Sequence, residues 1–393
     1  MVELEFSMMT RGPDTLGIVQ AALKPFEAKN HIQVHVNLQT WESSWTDLVK
    51  AALYGHGPDV SEIGSTWVGN LMVMNALRPF GAADIAALGS PESFFASVWR
   101  SGQAGSDIQW AIPWLVDTRV IYYRRDLLRK AGVDATTAFD TPALMTQALE
   151  RLRGSGVEMP WVMLTNLTLV TLHNLASWVW NAGGDFLSAD GKSVLFDRPE
   201  AMAGMAAYFG LYRYFASKAA NLGTEATDLM FQEGRVAATL SGPWAWMRRL
   251  ADPEMTANTG LTLPCIPFIG GSHLVVWQHA HQSTAALELI QYLTSPAVQV
   301  KLWPGCGLFP ARADVSNMAP FGEAPLKQLA DRLREAGRAF PSFSMWGLVE
   351  DKLKVVLHKI WGDILAVPEP DVEAILHRHI DPLAQRLNTT LGR

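Results

Sequence analysis

The chain has 393 residues, of which 49% are hydrophobic and 18% are charged, and its formal net charge is −6. That length fits two domains that each bury a sizeable core. No segment approaches the roughly 20 uninterrupted apolar residues of a membrane-spanning helix. Because the charges are interspersed and no basic block occurs, nucleic acid and anionic lipid are disfavoured as main partners.

The first part of the chain alternates predicted strands with predicted helices. Alternating apolar residues predict strands over 2–9, 31–38 and 59–63, each followed by apolar residues at helical spacing. Such a βαβαβ order indicates a largely parallel sheet covered by helices on both faces. In sheets of this kind, a ligand lies beyond the carboxyl ends of the strands.

Polar and aromatic residues follow these three strands. The most conspicuous are Arg11, Trp41, Glu42 and Trp67. Serine and threonine hydroxyls in the same segments also fit helix N-caps, and for them both interpretations stay open. The sequence therefore predicts a binding surface at the carboxyl edge of this first sheet.

The stretch 112–133 marks a change of domain. Trp114 leads past Asp117 into β-branched and aromatic residues at 120–123, which are typical of a buried strand. A short helix follows, with Gly132 at its predicted end. We expect the chain to pass here from one domain to the next, beside a binding cleft.

A second α/β domain follows this stretch. Thr141 and Pro142 predict a helix start, a strand follows at 161–165, and a helix at 169–181 carries His173. The order strand, helix, strand continues beyond it. We therefore expect a second sheet that is again flanked by helices.

Proline-marked segments further along the chain indicate two later passages between the domains. The predicted N-terminal lobe comprises 1–113 with 266–312, and the predicted C-terminal lobe comprises 114–265 with 313–393. Hinge segments are predicted near 112–117, 263–268 and 308–314.

The 15 tryptophans are the unusual feature of the composition. An indole offers a flat apolar face and one N–H donor, which suits stacking on the C–H face of a sugar ring. For most of them, packing in the core is the plainer interpretation. Trp244 stands out, because a predicted strand at 235–240 and a sharp turn deliver it to a strand's carboxyl end.

Motifs for cofactor or metal chemistry are missing from the sequence. There is no GxxxxGK[ST], GxGxxG, HExxH or GxSxG motif, so no cofactor is predicted. The pairs His279 with His281 and His377 with His379 lack accompanying cysteine or carboxylate ligands. We interpret them as surface residues and predict no metal site.

The two cysteines exclude a disulfide framework and a CxxC metal site. We expect both to be small buried apolar residues. A single bridge between Cys265 and Cys306 stays open at this point.

Several short motifs occur through the chain in a distinctive order. They are PDV at 58–60 with Trp67 and Leu71, IPWLVDTRVIYYRRDLLRKAG from 112, WNAGGDF from 180, FxxGRVAATLSGPW from 231, GGS at 270–272, YLTSPAVQ from 292, and Trp346. In this order they resemble the extracellular solute-binding proteins of ABC importers. The resemblance is closer to the carbohydrate-binding group that includes maltose-binding protein, and it covers essentially the whole chain.

This resemblance implies a two-lobe periplasmic-binding-protein fold of type II. Each lobe would be a mainly parallel sheet flanked by helices, and a multi-strand hinge would join the lobes. A carbohydrate, either a di- or oligosaccharide or a glycoside, would be held in the interlobe cleft by hinge closure. A monomeric receptor of this kind delivers its ligand to membrane permease subunits and carries no catalysis.

The resemblance also implies which residues contact the ligand. Trp244 and Trp346 would be sugar-stacking platforms, and Asp117 would accept hydrogen bonds from ring hydroxyls. Gly271 and Ser272 would be donors. The complete expected set is Arg11, Asp14, Trp41, Ser65, Trp67, Trp114, Asp117, His173, Gly184, Asp185, Trp244, Gly271, Ser272 and Trp346.

Two further questions stay open from the residues alone. A carbohydrate-active hydrolase could use Asp117 with Asp185 or Glu42, since glycosidases need two acids flanking the sugar. Arg11 and His173 also leave open an acidic or sulfonated sugar, or a glycerol conjugate, as the ligand.

The sequence begins directly in a strand-like pattern and without the basic and apolar regions of a signal peptide. Such a start fits a cytoplasmic protein or the mature part of an exported one. Because the resemblance is to exported proteins, we expect a periplasmic or extracellular, membrane-anchored protein whose signal segment lies outside this sequence.

Overall fold

The computed structural model describes residues 2–215, 220–248 and 253–392 of the chain. The chain divides into two compact units. Unit 1 comprises Met1–Asp117 and Ile269–Gly347, and unit 2 comprises Thr118–Phe268 and Leu348–Arg393. Each unit is therefore built from two separate segments of the sequence.

Strands and helices alternate along most of the described chain. The strands are β1 (Val2–Met9), β2 (Ile32–Gln39), β3 (Val60–Gly64), β4 (Ile112–Thr118), β5 (Val120–Arg124), β6 (Trp161–Val162), β7 (Ala238–Ser241), β8 (Thr259–Thr262), β9 (Ile269–Val276) and β10 (Phe309–Pro310). The α-helices are α1 (Thr15–Asn30), α2 (Ser44–Tyr54), α3 (Val68–Val73), α4 (Ala82–Ala87), α5 (Ala96–Ser101), α6 (Arg125–Lys130), α7 (Pro142–Gly154), α8 (Val170–Asn181), α9 (Pro199–Phe209), α10 (Thr224–Gln232), α11 (Trp244–Arg248), α12 (Pro253–Asn258), α13 (Ser283–Leu293), α14 (Pro296–Cys306), α15 (Leu326–Ala336), α16 (Trp346–Ala366) and α17 (Val372–Leu391). Within the described ranges, no helix has both the length and the apolar character needed to cross a bilayer.

Unit 1 contains a six-stranded sheet in the order β10-β4-β9-β3-β1-β2. β1 pairs in parallel with β2 and with β3, so that Phe6 lies opposite both Val36 and Val60. β9 runs antiparallel to β3, and β10 runs antiparallel to β4. The predicted βαβαβ start of the chain is confirmed. Residues 6–9 of β1 are all buried, as expected for a strand covered on both faces.

Unit 2 contains a four-stranded sheet in the order β6-β7-β5-β8. β5 is antiparallel to both β7 and β8, and β6 is parallel to β7. The α/β class is confirmed, but the expected mainly parallel pairing does not describe this sheet. The difference arises because the chain enters the unit along β5 and runs back beside it along β8 and β7.

The helix that precedes β6 begins and ends as its sequence indicates. Thr141 is the N-cap of α7, and its Oγ1 accepts a hydrogen bond of 3.2 Å from the Leu144 amide. Before it, Gly132 follows α6 with a φ of 66°, a left-handed conformation that glycine adopts at little cost. The predicted strand at 161–165 is shorter than expected, because pairing with β7 is limited to Trp161 and Val162.

The third predicted domain boundary is wrong. The sequence placed the last passage between domains near 308–314, whereas the structure keeps 313–347 in unit 1. Phe309 of β10 lies opposite Val116 of β4. Arg334 of α15 donates a 2.8 Å hydrogen bond to the carbonyl oxygen of Ala313, which follows β10. The proline that marked this segment belongs to an edge strand, where a missing N–H is tolerated, so the chain crosses only after α15.

The other two passages also fall a few residues beyond their predicted positions. The chain leaves unit 1 after Asp117 and returns to it at Ile269. Trp114 therefore belongs to unit 1 and not to the predicted C-terminal lobe. The reason is that β4 is a full strand of the six-stranded sheet, lying between β10 and β9.

Burial of His273 predicts a loss of stability in acid. Its Nε2 lies 2.9 Å from Ser101 Oγ and 3.2 Å from the Val98 carbonyl oxygen, and burial lowers the pKa of the imidazole from 6.5 to about 4. As the pH falls, the unfolded chain therefore binds a proton at a higher pH than the folded protein does. The free energy of unfolding has its full value above pH 6.5 and decreases as the pH falls towards 4. This contribution amounts to about 3 kcal/mol.

Denaturation by urea between pH 7.5 and pH 4.5 measures this effect. We expect His273→Gln to have a shallower dependence of stability on pH than the unsubstituted protein. His35→Gln is the matched control, because the His35 side chain is exposed. An equal slope in the His273 variant and the unsubstituted protein would contradict the assignment.

Candidate functional site

The loop after β1 is held by a buried ion pair. Arg11 Nη2 pairs with Glu62 Oε1, and the two side chains are 7% and 0% exposed. The other carboxylate oxygen accepts a 2.8 Å hydrogen bond from the Met9 amide. Arg11 Nη1 in turn donates to the Met9 carbonyl oxygen at 2.8 Å, and the Arg11 amide donates to Thr15 Oγ1 at 2.9 Å. These bonds fix the path of the loop that carries Asp14, whose side chain is exposed.

The Arg11 guanidinium also lies over an aromatic ring. Its central carbon is 5.6 Å from the ring centroid of Trp114, which is fully buried. Burial opposes the charged guanidinium, but the Glu62 carboxylate, Cys306 and Asp117 together raise the pKa of Arg11 above its ordinary value. Arg11 is therefore a charged residue that is almost inaccessible to solvent. Cys306 is a buried free cysteine, and burial raises the pKa of its thiol.

A cluster of tryptophans lies at the carboxyl ends of β2 and β3. The Trp41 and Trp67 ring centroids are 5.6 Å apart, and those of Trp45 and Trp67 are 5.4 Å apart. Trp41 is 40% exposed, whereas Ser65 beside Trp67 is buried. A side chain at Gly64 would come within 3.5 Å of both the Trp67 and the Trp41 rings, so the absence of one lets the cluster close over the end of β3. This tryptophan cluster (Trp41, Trp45 and Trp67) presents an apolar surface to solvent.

Among the remaining predicted contacts of unit 1, Ser272 and Trp346 are buried and Gly271 is partly buried. Gly271 has a φ of 129°, and a Cβ there would lie 2.0 Å from the Leu115 carbonyl oxygen, so glycine lets β9 approach β4. Ser272 is fully buried and lies opposite Gly64 in the pairing of β9 with β3. Trp346 is fully buried and stacks on Phe340 at 4.7 Å. Packing accounts for all three residues, and their contacts with a ligand stay predictions.

Trp244 of unit 2 begins α11, directly after β7. Its Nε1 donates a 3.1 Å hydrogen bond to Asp228, and the guanidinium carbon of the fully buried Arg119 lies 5.1 Å from its ring centroid. The ring also packs against Gly242, where a Cβ would overlap it. The sequence correctly places Trp244 after a strand, and these contacts hold its ring in one orientation.

The other predicted residues of unit 2 lie at opposite ends of α8. His173, in the first turn, stacks on Phe268 at 4.5 Å and lies 3.9 Å from Glu350. Gly184 and Asp185 follow the last turn, and a helix of 12 residues is about 18 Å long. His173 and the turn at 183–185 are therefore not brought together in one small site.

The turn after α8 has a structural role that the sequence did not indicate. A Cβ at Gly184 would lie 2.6 Å from the Ala201 backbone, so the glycine permits close packing of the turn on α9. Asp185 Oδ1 accepts hydrogen bonds from the Phe186 amide at 2.8 Å and from Trp180 Nε1 at 3.4 Å. Packing accounts for Gly184, and its contact with a ligand stays a prediction.

Sequence reasoning missed Glu62, which the structure places at the centre of the loop geometry. A charged residue between Ser61 and Ile63, inside a strand predicted between two helices, is a signal that a buried partner exists. It also missed Arg119, which follows the buried strand β4 and has no exposed surface. The partners themselves could not be identified, because they are distant in sequence.

The histidine pairs carry no sign of a metal site. His377 Nδ1 lies 3.1 Å from Asp381, and His379 Nε2 lies 2.8 Å from Asp363. His279 stacks on Trp277 with ring centroids 5.6 Å apart. Over the described parts of the chain, no group of three or more His, Cys, Asp and Glu side chains is arranged to hold an ion.

Comparison with known proteins identifies the family. The family model for bacterial extracellular solute-binding proteins matches residues 12–300. A probable ABC transporter-binding protein of Deinococcus radiodurans is 26% identical over 287 residues, which cover 67% of this chain and 66% of that protein. The diacetylchitobiose binding protein DasA of Streptomyces coelicolor is 24% identical over 347 residues, which cover 84% of this chain and 77% of that protein.

A solved structure shows the same fold. The sugar-binding protein MalE of Xanthomonas citri is 23% identical and superposes with a TM-score of 0.84 over 99% of this chain and 97% of its own. The two α/β units thus have the type II periplasmic-binding-protein fold.

The chain belongs to the bacterial extracellular solute-binding protein family. It is a binding protein and not an enzyme, so the hydrolase interpretation with Asp117 and Asp185 or Glu42 is wrong.

Proposed function

We propose that the protein is the receptor of an ABC importer and that its solute is a carbohydrate, either a di- or oligosaccharide or a glycoside. The observation that carries the proposal is the tryptophan cluster at the carboxyl ends of β2 and β3, with Trp41 40% exposed. Indole rings offer the flat apolar surface on which the C–H face of a sugar stacks. Among the relatives, DasA is named for diacetylchitobiose and MalE of Xanthomonas citri for sugar, which supports the same ligand class.

The polar residues near the cluster supply the complementary part of a sugar site. Asp14 is exposed on the loop that the Arg11–Glu62 pair fixes, and the charge of Asp117 acts on Arg11. Carboxylates accept hydrogen bonds from sugar hydroxyls, so both are suited to orient a ring. Trp244, held by Asp228 and Arg119, is the corresponding aromatic residue of unit 2.

Transport by this receptor would follow from binding of the solute. The chain passes between the units three times, and we propose that these passages act as a hinge. The monomer would then deliver the solute to the permease subunits of the importer. A periplasmic or extracellular, membrane-anchored location fits this role.

A thermal-shift screen tests the ligand class. Maltose, N,N′-diacetylchitobiose and longer homologues are added to the purified protein. A sugar that binds only the folded state at a hundredfold excess over its Kd stabilises that state by about 2.7 kcal/mol and raises the unfolding midpoint. We expect at least one disaccharide or longer sugar to do so.

Chromatography of the same mixtures provides the second readout. A binding protein returns the sugar unmodified, whereas cleavage products would contradict the receptor assignment. Failure of the whole panel to shift the midpoint would contradict a carbohydrate ligand.

A further inference from the structure

Each basic side chain near the candidate contacts already contacts other residues of the protein. Arg11 Nη2 pairs with Glu62, and Arg11 Nη1 donates to a backbone carbonyl. His173 stacks on Phe268 and lies 3.9 Å from Glu350. Arg119 has no exposed surface and lies against the Trp244 ring. The two side chains that the sequence offers for an acidic sugar, Arg11 and His173, are therefore engaged in internal contacts.

Glu62 uses both of its oxygens in this arrangement. One is bound to Arg11 and the other accepts from the Met9 amide at 2.8 Å, and the side chain is fully buried. Its two partners, a buried guanidinium and a backbone N–H, are both hydrogen-bond donors to the carboxylate. Its charge cancels that of Arg11 in a region where water does not screen either of them.

The balance of charge around Arg11 is negative once its neighbours are counted. Glu62 is in contact with the guanidinium, and the charge of Asp117 also acts on it. Asp14 is exposed on the same loop. A carboxylate or sulfonate near Arg11 would also meet the charges of Glu62 and Asp117, whereas a sugar hydroxyl could donate to Asp117 or to the exposed Asp14.

We propose that Glu62 is a specificity-determining residue, which neutralises Arg11 and thereby makes the receptor select uncharged carbohydrates over anionic ones. This inference rests on the proposed function, because it concerns the charge of the sugar and not its presence. Glu62 acts through Arg11 and is a positioning residue that need not touch the ligand. Its removal converts Arg11 into an uncompensated buried cation, which favours an anionic ligand.

Matched pairs of ligands test the proposal by titration calorimetry at constant pH and salt. The neutral members are maltose and N,N′-diacetylchitobiose, and each partner carries a C6 carboxylate in place of the hydroxymethyl group of its non-reducing ring. We expect the unsubstituted protein to bind a neutral member at least about tenfold more tightly than its uronate. In Glu62→Gln, which keeps the side-chain size, this ratio should fall by at least about tenfold.

Two variants separate charge from structure. Glu62→Asp retains the carboxylate and should retain the preference for the neutral sugar. Arg11→Gln combined with Glu62→Gln removes both charges together and should also disfavour the uronate, because Asp14 and Asp117 remain. Thermal unfolding establishes that each variant is folded before its affinity ratio is interpreted.

Two results would overturn the proposal. The first is that the unsubstituted protein binds a uronate as tightly as its neutral partner, a measurement that does not depend on any variant. The second is that folded Glu62→Gln keeps the original ratio. If no member of the panel binds the folded unsubstituted protein, the carbohydrate function itself fails and this proposal fails with it, which distinguishes that outcome from the other two.

Discussion

Replacement of Glu62 by alanine should lower the free energy of unfolding by about 3–5 kcal/mol, because the Arg11 guanidinium stays buried without its carboxylate. The Met9 amide loses its acceptor in the same variant. Both losses fall on the end of β1 and on the loop that follows it. Urea denaturation followed by tryptophan fluorescence measures the effect.

Lys50→Ala is the matched control for this experiment. The Lys50–Asp47 ion pair is exposed on α2, and exposed pairs contribute at most about 1 kcal/mol. A much larger loss of unfolding free energy in Glu62→Ala than in Lys50→Ala would show that burial makes the Arg11–Glu62 pair important for stability. A loss below about 1 kcal/mol in Glu62→Ala would mean that water or rearrangement compensates the guanidinium.

Replacement of Trp41 by alanine should weaken carbohydrate binding by about 1–3 kcal/mol, since an exposed stacking surface is lost. The fold should be little affected, because Trp41 is 40% exposed and lies outside the sheet. Trp41→Phe, which keeps a smaller aromatic face, should have an intermediate affinity. Titration calorimetry with the sugar found in the thermal-shift screen measures the change.

Tyr54→Ala is the matched control for the tryptophan variant. Tyr54 is a 78% exposed aromatic residue at the far end of α2 from Trp41. Its loss should leave the affinity unchanged. If Trp41→Ala also binds the sugar with unchanged affinity, the tryptophan cluster is not the stacking surface.

The strands of the first sheet could be predicted because the pattern that specifies them lies within a few consecutive residues. Alternation of apolar residues specifies β1 and β2, and glycine, serine and tryptophan after β3 mark its end. The carboxyl-edge rule then directs attention to Arg11 and Trp41 without any knowledge of tertiary contacts. These residues lie where the strands end, as the pattern indicated.

Pairings between distant segments could not be predicted in the same way. Glu62 is a charged residue in a buried strand, and only the fold identifies its partner, Arg11, which is 51 residues away. Pro310 fits either an interdomain passage or an edge strand, and pairing with β4 decides for the strand. Gly184 fits a turn from its sequence, but its close approach to Ala201 of α9 is seen only in the fold.

The discontinuity of both units has a consequence for the order in which the protein folds. β9 lies between β4 and β3, so β4 cannot join β1, β2 and β3 in the sheet until residues 269–276 have been synthesised. Trp277 Nε1 then donates to Ser61 Oγ across 216 residues of chain. Unit 2 is completed later still, because its last helices, α16 and α17, lie at the carboxyl-terminal end of the sequence. Contacts of such long range slow folding, so neither unit can complete its fold until its last segment has been synthesised.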